Sequence, residues 1–362
     1  APVFFYVQMS LESSGSFIEI QNVSKIFGNT SAEVLDAVTK QKISKQEALE
    51  RYNAVIGVFD VSFNVNPGEI FCVMGLSGSG KSTLVRHINR LLEPTLGKIL
   101  VDGQDVMALE REALQTFRNK KIGMVFQNFA LMPHRSVIDN IALPLEIRGI
   151  NKNQRYKKAN DILNIVELGG WGSKFAHELS GGMQQRVGLA RALAADPEIL
   201  LMDEPFSALD ALIRRQLQVE FIKLSRQLKK TTVFITHDLD EAVKVGHRIA
   251  IMRDGKVIQV GTPEEIIMDP EDDYVADFVK GISRLEVVKA GSIMTPINMF
   301  KSLNGPIPQN CVRMREDDVL SRLVDSLVSS KQPVVIVDGG GQTVGVVSQH
   351  DVLASIVENR DD

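Results

Sequence analysis

The sequence predicts an α/β fold with a parallel β-sheet, and three observations support this prediction. Residues 70–74 and 199–202 form continuous apolar runs, which are typical of strands buried on both faces of a parallel sheet. Segments with the apolar spacing of helices separate the strand candidates along the chain. A glycine-rich loop at residues 75–80 follows the first run and opens a helix. This alternation indicates an α/β core.

The first elements combine strand and helix patterns. Residues 17–27 alternate apolar and polar side chains, which predicts a strand, and residues 58–65 resume that pattern. Between them, residues 29–56 are rich in Ala, Glu, Lys and Gln, with apolar residues at helical spacing. We therefore predict a helical insertion there. After the glycine loop, we expect a helix to about residue 92 and strands at residues 98–101 and 122–126.

The middle of the chain has no strong strand signal. Residues 129–195 show a mostly helical pattern, which predicts a helical subdomain inserted into the α/β core. Strand signals return at residues 199–202 and 232–235, with a helix between them. Residues 248–261 are expected to form a hairpin, because the dipeptide Asp254-Gly255 favours a tight turn.

The chain is predicted to divide into a flexible segment, residues 1–16, a first domain, residues 17–282, and a second unit, residues 283–362. A Pro- and acid-rich stretch near residues 269–273 precedes the proposed boundary. The clearest part of the second unit is a strand at 334–337, a glycine turn, a strand at 344–348 and a helix at 351–358. It is too short to be a second catalytic domain.

Bulk properties limit the class of protein. A chain of 362 residues accommodates about two domains, and 44% hydrophobic with 24% charged residues is ordinary for a soluble globular protein. The net charge of −4 argues against nucleic acid as a partner. Cys72 and Cys311 lie far apart, so we expect no disulfide and a reducing cytosol. No apolar run approaches the roughly 18 residues of a membrane span, so a membrane role requires a partner. Met9 is a candidate natural start.

The loop at residues 75–82 matches the phosphate-binding pattern G-x-x-x-x-G-K-[ST]. Its glycines let successive N–H groups wrap phosphates, Lys81 reaches the β- and γ-phosphates, and Ser82 can ligate Mg²⁺. Because a strand precedes the loop and a helix follows it, a merely flexible Gly/Ser loop is a negligible alternative. The candidate nucleotide-binding residues are Gly75, Ser77, Gly78, Ser79, Gly80, Lys81, Ser82 and Thr83.

Polar side chains follow three of the predicted strands. Asp203 and Glu204 lie at the carboxyl edge of the sheet, where ligands bind. Asp203 is placed to hold Mg²⁺, and Glu204 to polarise an attacking water as general base. Gln127, which could reach the Mg²⁺ or the water, and His237, which could contact the γ-phosphate, follow neighbouring strands. The alternatives are a solvated Asp-Glu pair, a surface glutamine and a structural histidine.

Residues 179–186, Leu-Ser-Gly-Gly-Met-Gln-Gln-Arg, form a second candidate anion site that contains no nucleotide motif of its own. The hydroxyl of Ser180, the bare N–H groups of Gly181 and Gly182 and the start of the following helix together suit a phosphate. That phosphate must be supplied from elsewhere.

The phosphate loop, Gln127, residues 179–186, Asp203-Glu204, residues 207–210 and His237, in this order, resemble the ATP-binding-cassette ATPases. The resemblance implies a P-loop NTPase with a RecA-like α/β core, a β-subdomain and a helical subdomain, which binds ATP and Mg²⁺. It implies a homodimer, in which residues 179–186 of one subunit cap the ATP held by the other. The implied nucleotide contacts of this capping surface are Ser180, Gly181, Gly182 and Gln184, with Asp210 at the dimer seam. Phe27 occupies the position that stacks on adenine, and a core residue at a strand end is the alternative.

A narrower resemblance connects the chain with the ATPase subunits of glycine betaine, proline betaine and choline importers. It rests on residues 29–56, 74–86, 133–137 and 206–214. Such subunits work with a transmembrane permease, to which residues 129–148 would dock, and indirectly with an extracytoplasmic substrate-binding protein. The resemblance implies a peripheral location at the cytoplasmic face of the inner membrane. Implied cargoes are these amines or trimethylamine N-oxide. The alternatives are amino-acid or polyamine import, and a soluble cassette ATPase outside transport.

The tail resembles a cystathionine-β-synthase-type (CBS-like) regulatory repeat, chiefly through residues 345–353. The resemblance implies regulation by adenine nucleotides or by ionic strength. Such repeats normally occur in pairs, and only one is convincing here. Asp351 would be the ribose-contacting carboxylate, and an N-cap of the following helix explains it equally well.

Overall fold

The computed structural model describes residues 17–28, 32–40, 43–308, 310–330 and 332–357. The expected flexible segment, residues 1–16, lies outside the described residues. The chain divides between Val260 and Gly261 into two compact units. Among the described residues, no helix combines the length and the apolar character that crossing a membrane requires.

The first unit contains ten strands and nine α-helices among its described residues. The strands are β1 (Ile18–Gly28), β2 (Ala54–Val65), β3 (Ile70–Met74), β4 (Leu96–Val101), β5 (Gln104–Asp105), β6 (Ile122–Val125), β7 (Ile199–Asp203), β8 (Thr231–Thr236), β9 (Arg248–Arg253) and β10 (Lys256–Gly261). The helices are α1 (Ala32–Thr39), α2 (Lys45–Tyr52), α3 (Lys81–Ile88), α4 (Arg111–Lys121), α5 (Val137–Ile147), α6 (Lys152–Ile165), α7 (Gly181–Ala194), α8 (Ala211–Leu228) and α9 (Leu239–Val245).

Six strands form the central sheet in the order β10-β9-β3-β8-β7-β6. The pairs β9/β3, β3/β8, β8/β7 and β7/β6 are parallel, and every residue of β3, β7 and β8 is buried. Full burial on both faces explains the continuous apolar runs in the sequence. The expected hairpin is present between β9 and β10, with positive φ at both Asp254 (51°) and Gly255 (83°).

A second, antiparallel sheet has the order β2-β1-β4-β5. It shares one hydrophobic core with the central sheet and α3. Ile18 and Phe63 from the antiparallel sheet, Phe71 and Val73 from β3, and Leu84 from α3 belong to that core. The shared core holds the antiparallel sheet against the start of α3, beside the phosphate loop.

Two helices lie within the stretch predicted as a helical insertion, and they span fewer residues than the sequence suggested. Its helices α1 and α2 lie within residues 32–52, and residues 54–56 already belong to β2. Residues 29–31 and 41–42 lie outside the described residues. The insertion has its own small core, to which β1 and β2 also contribute: Ile26, Val34, Val38, Ala48, Ala54 and Ile56. The helix after the phosphate loop is also shorter than expected, since α3 ends at Ile88.

Three α-helices lie between residues 137 and 194, within the stretch predicted as a helical subdomain. Its helices α5, α6 and α7 pack around a core that includes Ile141, Leu145, Leu163 and Val187. Each helix begins at a polar N-cap, as expected for well-defined helix starts: Ser136, Asn151 and Ser180.

The second unit is a small α/β domain. Its helices are α10 (Pro263–Met268), α11 (Asp273–Val279), α12 (Arg284–Val287), α13 (Ala290–Ile293), α14 (Ile297–Asn304), α15 (Leu320–Ser330) and α16 (Gln349–Val357). Its strands β11 (Thr295–Pro296), β12 (Arg313–Arg315), β13 (Val334–Val337) and β14 (Thr343–Val347) form a sheet in the order β11-β14-β13-β12.

The boundary between the units lies before the position that the sequence suggested, residue 282. Residues 261–282 group with the second unit because its later residues bind them. Lys289 N donates to Glu264 Oε1 at 2.8 Å, and Arg284 Nη2 donates to Ile267 O at 3.5 Å. The assignment of Asp351 as an N-cap is also corrected. Ser348 precedes α16, and it exchanges hydrogen bonds with Asp351 at the third helical position.

Phe221 provides a test of packing under the central sheet. The side chain is 2% exposed, and its ring centroid lies 6.3 Å from that of Phe206 and 6.0 Å from that of Phe234. Phe221→Ala should lower the free energy of unfolding of the first unit by about 3–5 kcal/mol. Val219→Ala on the same helix, where the side chain is 68% exposed, should change it by less than about 0.5 kcal/mol. Chemical denaturation measures both, and equal effects would contradict the packing.

Candidate functional site

The phosphate loop connects β3 to α3, as the sequence predicted. Glycine is required at two positions where the backbone approaches other strands closely. A Cβ on Gly75 would lie 2.2 Å from Met252 O, and one on Gly80 would lie 2.3 Å from Gly57 O. Both residues also have positive φ, 152° and 99°. The loop therefore packs closely against the end of β9 and against β2. Its backbone N–H groups lie at the start of α3.

Lys81 lies inside the loop and is 5% exposed. Its ammonium donates to Gly75 O at 2.8 Å and to Leu76 O at 3.0 Å, and it lies 4.0 Å from Glu204 Oε1. Burial lowers the pKa of Lys81, and the charges of Glu204 and Asp203 oppose that effect. The loop carbonyls and the carboxylates thus hold this cation at the centre of the site.

Ser82 lies in α3, just after β3, and Asp203 ends β7. Their side chains are in contact although β8 lies between these two strands in the sheet. Ser82 Oγ donates to Asp203 Oδ1 at 2.7 Å, and Arg86 Nη2 lies 3.5 Å from Asp203 Oδ2. A hydroxyl and a carboxylate in contact form the kind of oxygen set that Mg²⁺ prefers. Sequence reasoning missed the contact of Arg86. Its position one helical turn after Ser82 is the signal that could have found it.

Glu204 is the residue on which the predicted catalytic side chains converge. Its Oε2 lies 3.1 Å from His237 Nδ1 and 3.4 Å from Gln127 Nε2. Its backbone is left-handed, with φ of 46°, and is held by a hydrogen bond to Ile235 O at 3.1 Å and by one from Ser207 Oγ at 3.0 Å. A left-handed non-glycine residue requires such support. The side chains that the sequence placed at strand ends are therefore brought together.

A cleft of about 720 Å³ opens above these groups. It is lined by Phe27, Lys45, Val55, Ile56, Gly57, Leu76, Ser77, Gly78, Gly80, Lys81, Ser82, Thr83, Gln127, Glu204 and His237. The Phe27 ring lies against the backbone of β2, since a Cβ on Gly57 would come within 2.7 Å of it. Sequence reasoning missed Lys45, which carries no local motif.

The cleft has the features that a bound nucleoside triphosphate needs. Phe27 is 37% exposed, so part of its ring is available for stacking on a base. Ser77, Gly78, Gly80, Lys81 and Ser82 of the phosphate loop line the same cleft, so backbone N–H groups, an ammonium and hydroxyls are available to a phosphate chain. The residues therefore fit a nucleotide phosphate chain together with a divalent cation.

Residues 179–186 do not line this cleft. Ser180 is exposed and caps α7, with its Oγ accepting from Met183 N at 3.4 Å. Gly181 and Gly182 begin the helix, and Gln184 Nε2 donates to Leu179 O at 3.2 Å. Asp210 is also absent from the cleft lining and caps α8, accepting from Leu212 N and Ile213 N. Their contact with a nucleotide stays a prediction for a pair of chains.

A buried arginine links α7 to the segment that follows Gln127. Arg191 donates to Phe129 O at 2.9 Å and to Ala130 O at 2.5 Å. Phe129 and Ala130 have positive φ, 55° and 49°. Because their carbonyls are bound from α7, this strained turn is fixed to the helix that begins at Ser180.

Comparison with known proteins gives consistent matches. Residues 58–207 match the model of the ABC transporter family. The chain is 44% identical to the glycine betaine/proline betaine transport system ATP-binding protein ProV of Escherichia coli (strain K12), over 95% of this chain and 83% of that protein. It is 48% identical to the glycine betaine transport ATP-binding protein OpuAA of Bacillus subtilis (strain 168), over 82% and 71%. It is 40% identical to the trimethylamine N-oxide transport system ATP-binding protein TmoW of Pelagibacter ubique (strain HTCC1062), over 95% and 98%.

Solved structures show the same fold. A dimeric post-hydrolysis state of the ATP-binding cassette MJ0796, bound to ADP and phosphate, is 32% identical with a TM-score of 0.57, over 68% of this chain and 98% of that one. The structure of cbiO1 from Clostridium perfringens, at 24% identity and a TM-score of 0.58, covers 71% of this chain and 92% of that one. The second of these likenesses concerns the fold alone.

Proposed function

Because the chain belongs to the ATP-binding-cassette family of transporter ATPases, we propose that it hydrolyses ATP to power import of a quaternary or methylated amine. The expected ATP-binding-cassette fold and the ATPase activity are confirmed by this membership. The observation that carries the catalytic assignment is the convergence of Lys81, Gln127 and His237 on the carboxylate of Glu204.

Different residues of the cleft bind the two ends of the nucleotide. Phe27 stacks on the adenine, and the loop N–H groups with Lys81 bind the β- and γ-phosphates. Mg²⁺ would be held by Ser82, Asp203 and Gln127, and when bound it neutralises charge on the phosphate oxygens. Ser82 and Asp203 already lie in contact at 2.7 Å, which supports a shared ion.

Glu204 acts as the general base. Its carboxylate accepts the proton of the water that attacks the γ-phosphate, a contribution of roughly 10²–10⁴ in rate. His237 and Gln127 contact the same oxygen, Oε2, and thereby orient the carboxylate. Their exposed positions leave them free to contact the γ-phosphate and the attacking water as well.

The complete site needs two chains. Ser180, Gly181 and Gly182 present a helix start and a hydroxyl to solvent, outside the cleft of their own chain. A second copy can place this surface over the γ-phosphate, so that each site combines the phosphate loop of one chain with residues 179–186 of the other. We therefore propose a homodimer with two shared ATP sites, with Asp210 at the seam.

Transport requires a membrane partner. Residues 129–148, which follow Gln127, are the proposed docking surface for a transmembrane permease. An extracytoplasmic binding protein would act through that permease, and the chain would be peripheral at the cytoplasmic face of the membrane. The amine class of cargo, comprising glycine betaine, proline betaine, choline or trimethylamine N-oxide, is supported by the named relatives.

The second unit is proposed to regulate the ATPase as a CBS-like domain. Its parallel pair β12/β13 joined by α15, followed by the β13/β14 hairpin, supports a compact α/β module. The Asp351 carboxylate already accepts hydrogen bonds from Ser348 N and Oγ at 2.7 Å. A structural role for Asp351 in starting α16 is thus the better supported one.

Replacing the general base tests the mechanism. Glu204→Gln should reduce ATP hydrolysis by at least about 100-fold, because an amide cannot accept the proton. ATP binding should persist, and ATP should trap the dimer. Glu198→Gln, at the other end of the same strand and exposed, is the matched control and should hydrolyse ATP normally. Phosphate release and size-exclusion chromatography with ATP measure both effects. Hydrolysis that survived Glu204→Gln would refute this assignment.

Mixing two inactive chains tests the shared sites. Lys81→Ala and Ser180→Arg homodimers should each lack activity. Half of the dimers in an equal mixture contain one chain of each kind, and each of these dimers has one intact site. ATPase activity should therefore recover to at most about a quarter of the wild-type rate. A double variant mixed with the wild-type chain forms mixed dimers with no intact site, so the rate should fall from the half that independent chains would give to the quarter that the remaining wild-type homodimers supply. No recovery in the first mixture would contradict the homodimer.

Cargo selection tests the amine class. The chain reconstituted in proteoliposomes with its permease and binding protein should hydrolyse ATP several-fold faster when glycine betaine, proline betaine, choline or trimethylamine N-oxide is added, since cargo-loaded binding protein favours the closed dimer. Glutamate and spermidine serve as controls for the other importer classes. Stimulation by either control and by none of the amines would contradict the proposal.

A further inference from the structure

The helical insertion contributes one residue, Lys45, to the lining of the nucleotide cleft. Helix α2 begins at a capping box, in which Glu47 N donates to Ser44 Oγ at 3.1 Å and Ser44 N donates to Glu47 Oε2 at 3.0 Å. Ala48 is fully buried in the small core of the insertion. Two interactions thus fix the first turn of α2, where Lys45 is the first residue.

The end of α2 fixes its position relative to Phe27. Asn53 ends the helix in a left-handed conformation, with φ of 52°, and β2 begins at the next residue. Val55 then pairs with Phe27 across the β1/β2 ladder. Helix α2 and its cap therefore connect Lys45 directly to the strand that pairs with the ring proposed to stack on adenine.

Lys45 is a half-buried cation without an ion-pair partner. It lines the cleft together with Phe27, Val55 and Gly57, and no carboxylate of the described residues lies within 4.0 Å of its ammonium. Burial lowers the pKa of Lys45, and the more distant charge of Asp254 opposes this. A half-buried ammonium that no protein group binds gains from a hydrogen-bond acceptor on a ligand.

Lys45 also borders a neighbouring cavity of about 780 Å³, whose lining includes Phe59, Lys256 and the carboxylates of Glu47 and Asp254, which do not suit an anionic ligand. There the Lys256 ammonium already lies over the Phe59 ring, 5.2 Å from its centroid. The nucleotide cleft is the one that combines Lys45 with a phosphate loop and a stacking ring. We therefore expect the Lys45 ammonium to contact a ligand that is bound in the nucleotide cleft.

We propose that Lys45 is a nucleotide-binding residue supplied by the insertion, and that its ammonium donates a hydrogen bond to the sugar–base half of ATP and ADP. This inference rests on the proposed function, because it takes ATP as the occupant of the cleft. The phosphates are bound by the loop and Lys81. Lys45 lines the cleft from the helix that leads directly into β2, and in β2 Val55 pairs with Phe27, the ring assigned to the base.

Nucleotide affinity tests this assignment without relying on activity. Lys45→Met should raise the Kd for ADP and for a non-hydrolysable ATP analogue equally, by about tenfold, as expected for loss of one hydrogen bond from a charged donor. Lys40→Met is the matched control. It removes the same charge from the insertion at a side chain that is 78% exposed and paired with Asp36, and it should bind as the wild type does. Equal thermal unfolding midpoints would show that both variants fold.

The outcomes separate the alternatives. If the loss disappears with 2′-deoxy-ADP, the acceptor is the ribose 2′-hydroxyl, and if it persists with 2′-deoxy-ADP but disappears with inosine diphosphate, the acceptor lies on the base. Both results support the proposal. Unchanged affinity in Lys45→Met would overturn it, and so would a loss confined to the ATP analogue, which would place Lys45 at the γ-phosphate. A wild-type chain that bound neither nucleotide would instead refute the proposed function itself.

Discussion

The register of the parallel strands β3, β8 and β7 is the constraint on which the site depends. Met74 pairs with Thr236, and Asp203 pairs with Ile235, so the three strands end at nearly the same level. The next residues along the chain are the phosphate loop, His237 and Glu204. A shift of one residue in either pairing would turn the side chains to the opposite face of the sheet. Backbone hydrogen bonding in a buried sheet thus sets the distances between the reacting groups.

The sequence was sufficient for the parts of the fold that depend on local pattern. The apolar runs of β3 and β7 predicted their burial, and the phosphate loop, Gln127, Glu204 and His237 followed from strand ends. Arg86 and Lys45 were missed because their roles depend on where α3 and α2 lie relative to other elements. The structure divides the chain before the predicted domain boundary for a related reason. The sequence pattern of residues 261–282 predicts helices and an acidic stretch. It does not indicate which of the two hydrophobic cores these residues join.

The contact of residues 179–186 with a nucleotide depends on a second chain. Their chemistry is readable in the sequence, since a capping serine and two glycines at a helix start suit an anion. The single chain shows Ser180 exposed and separate from the cleft, as one half of a composite site would be. Neither a sequence pattern nor one folded chain contains the other half. Only an assembly can join them.

The hydrogen bonds of Arg191 connect α7 to the proposed permease-docking surface. Arg191 lies eleven residues after Ser180, a distance of about 16 Å along the helix axis. Its guanidinium holds the carbonyls of Phe129 and Ala130, at the start of the proposed permease-docking surface. A displacement of that surface therefore acts near the C-terminal end of α7, and Ser180 lies at the opposite end. In the proposed importer, a movement of the permease would reach Ser180 through α7 and the helices that share its core, without any change of secondary structure.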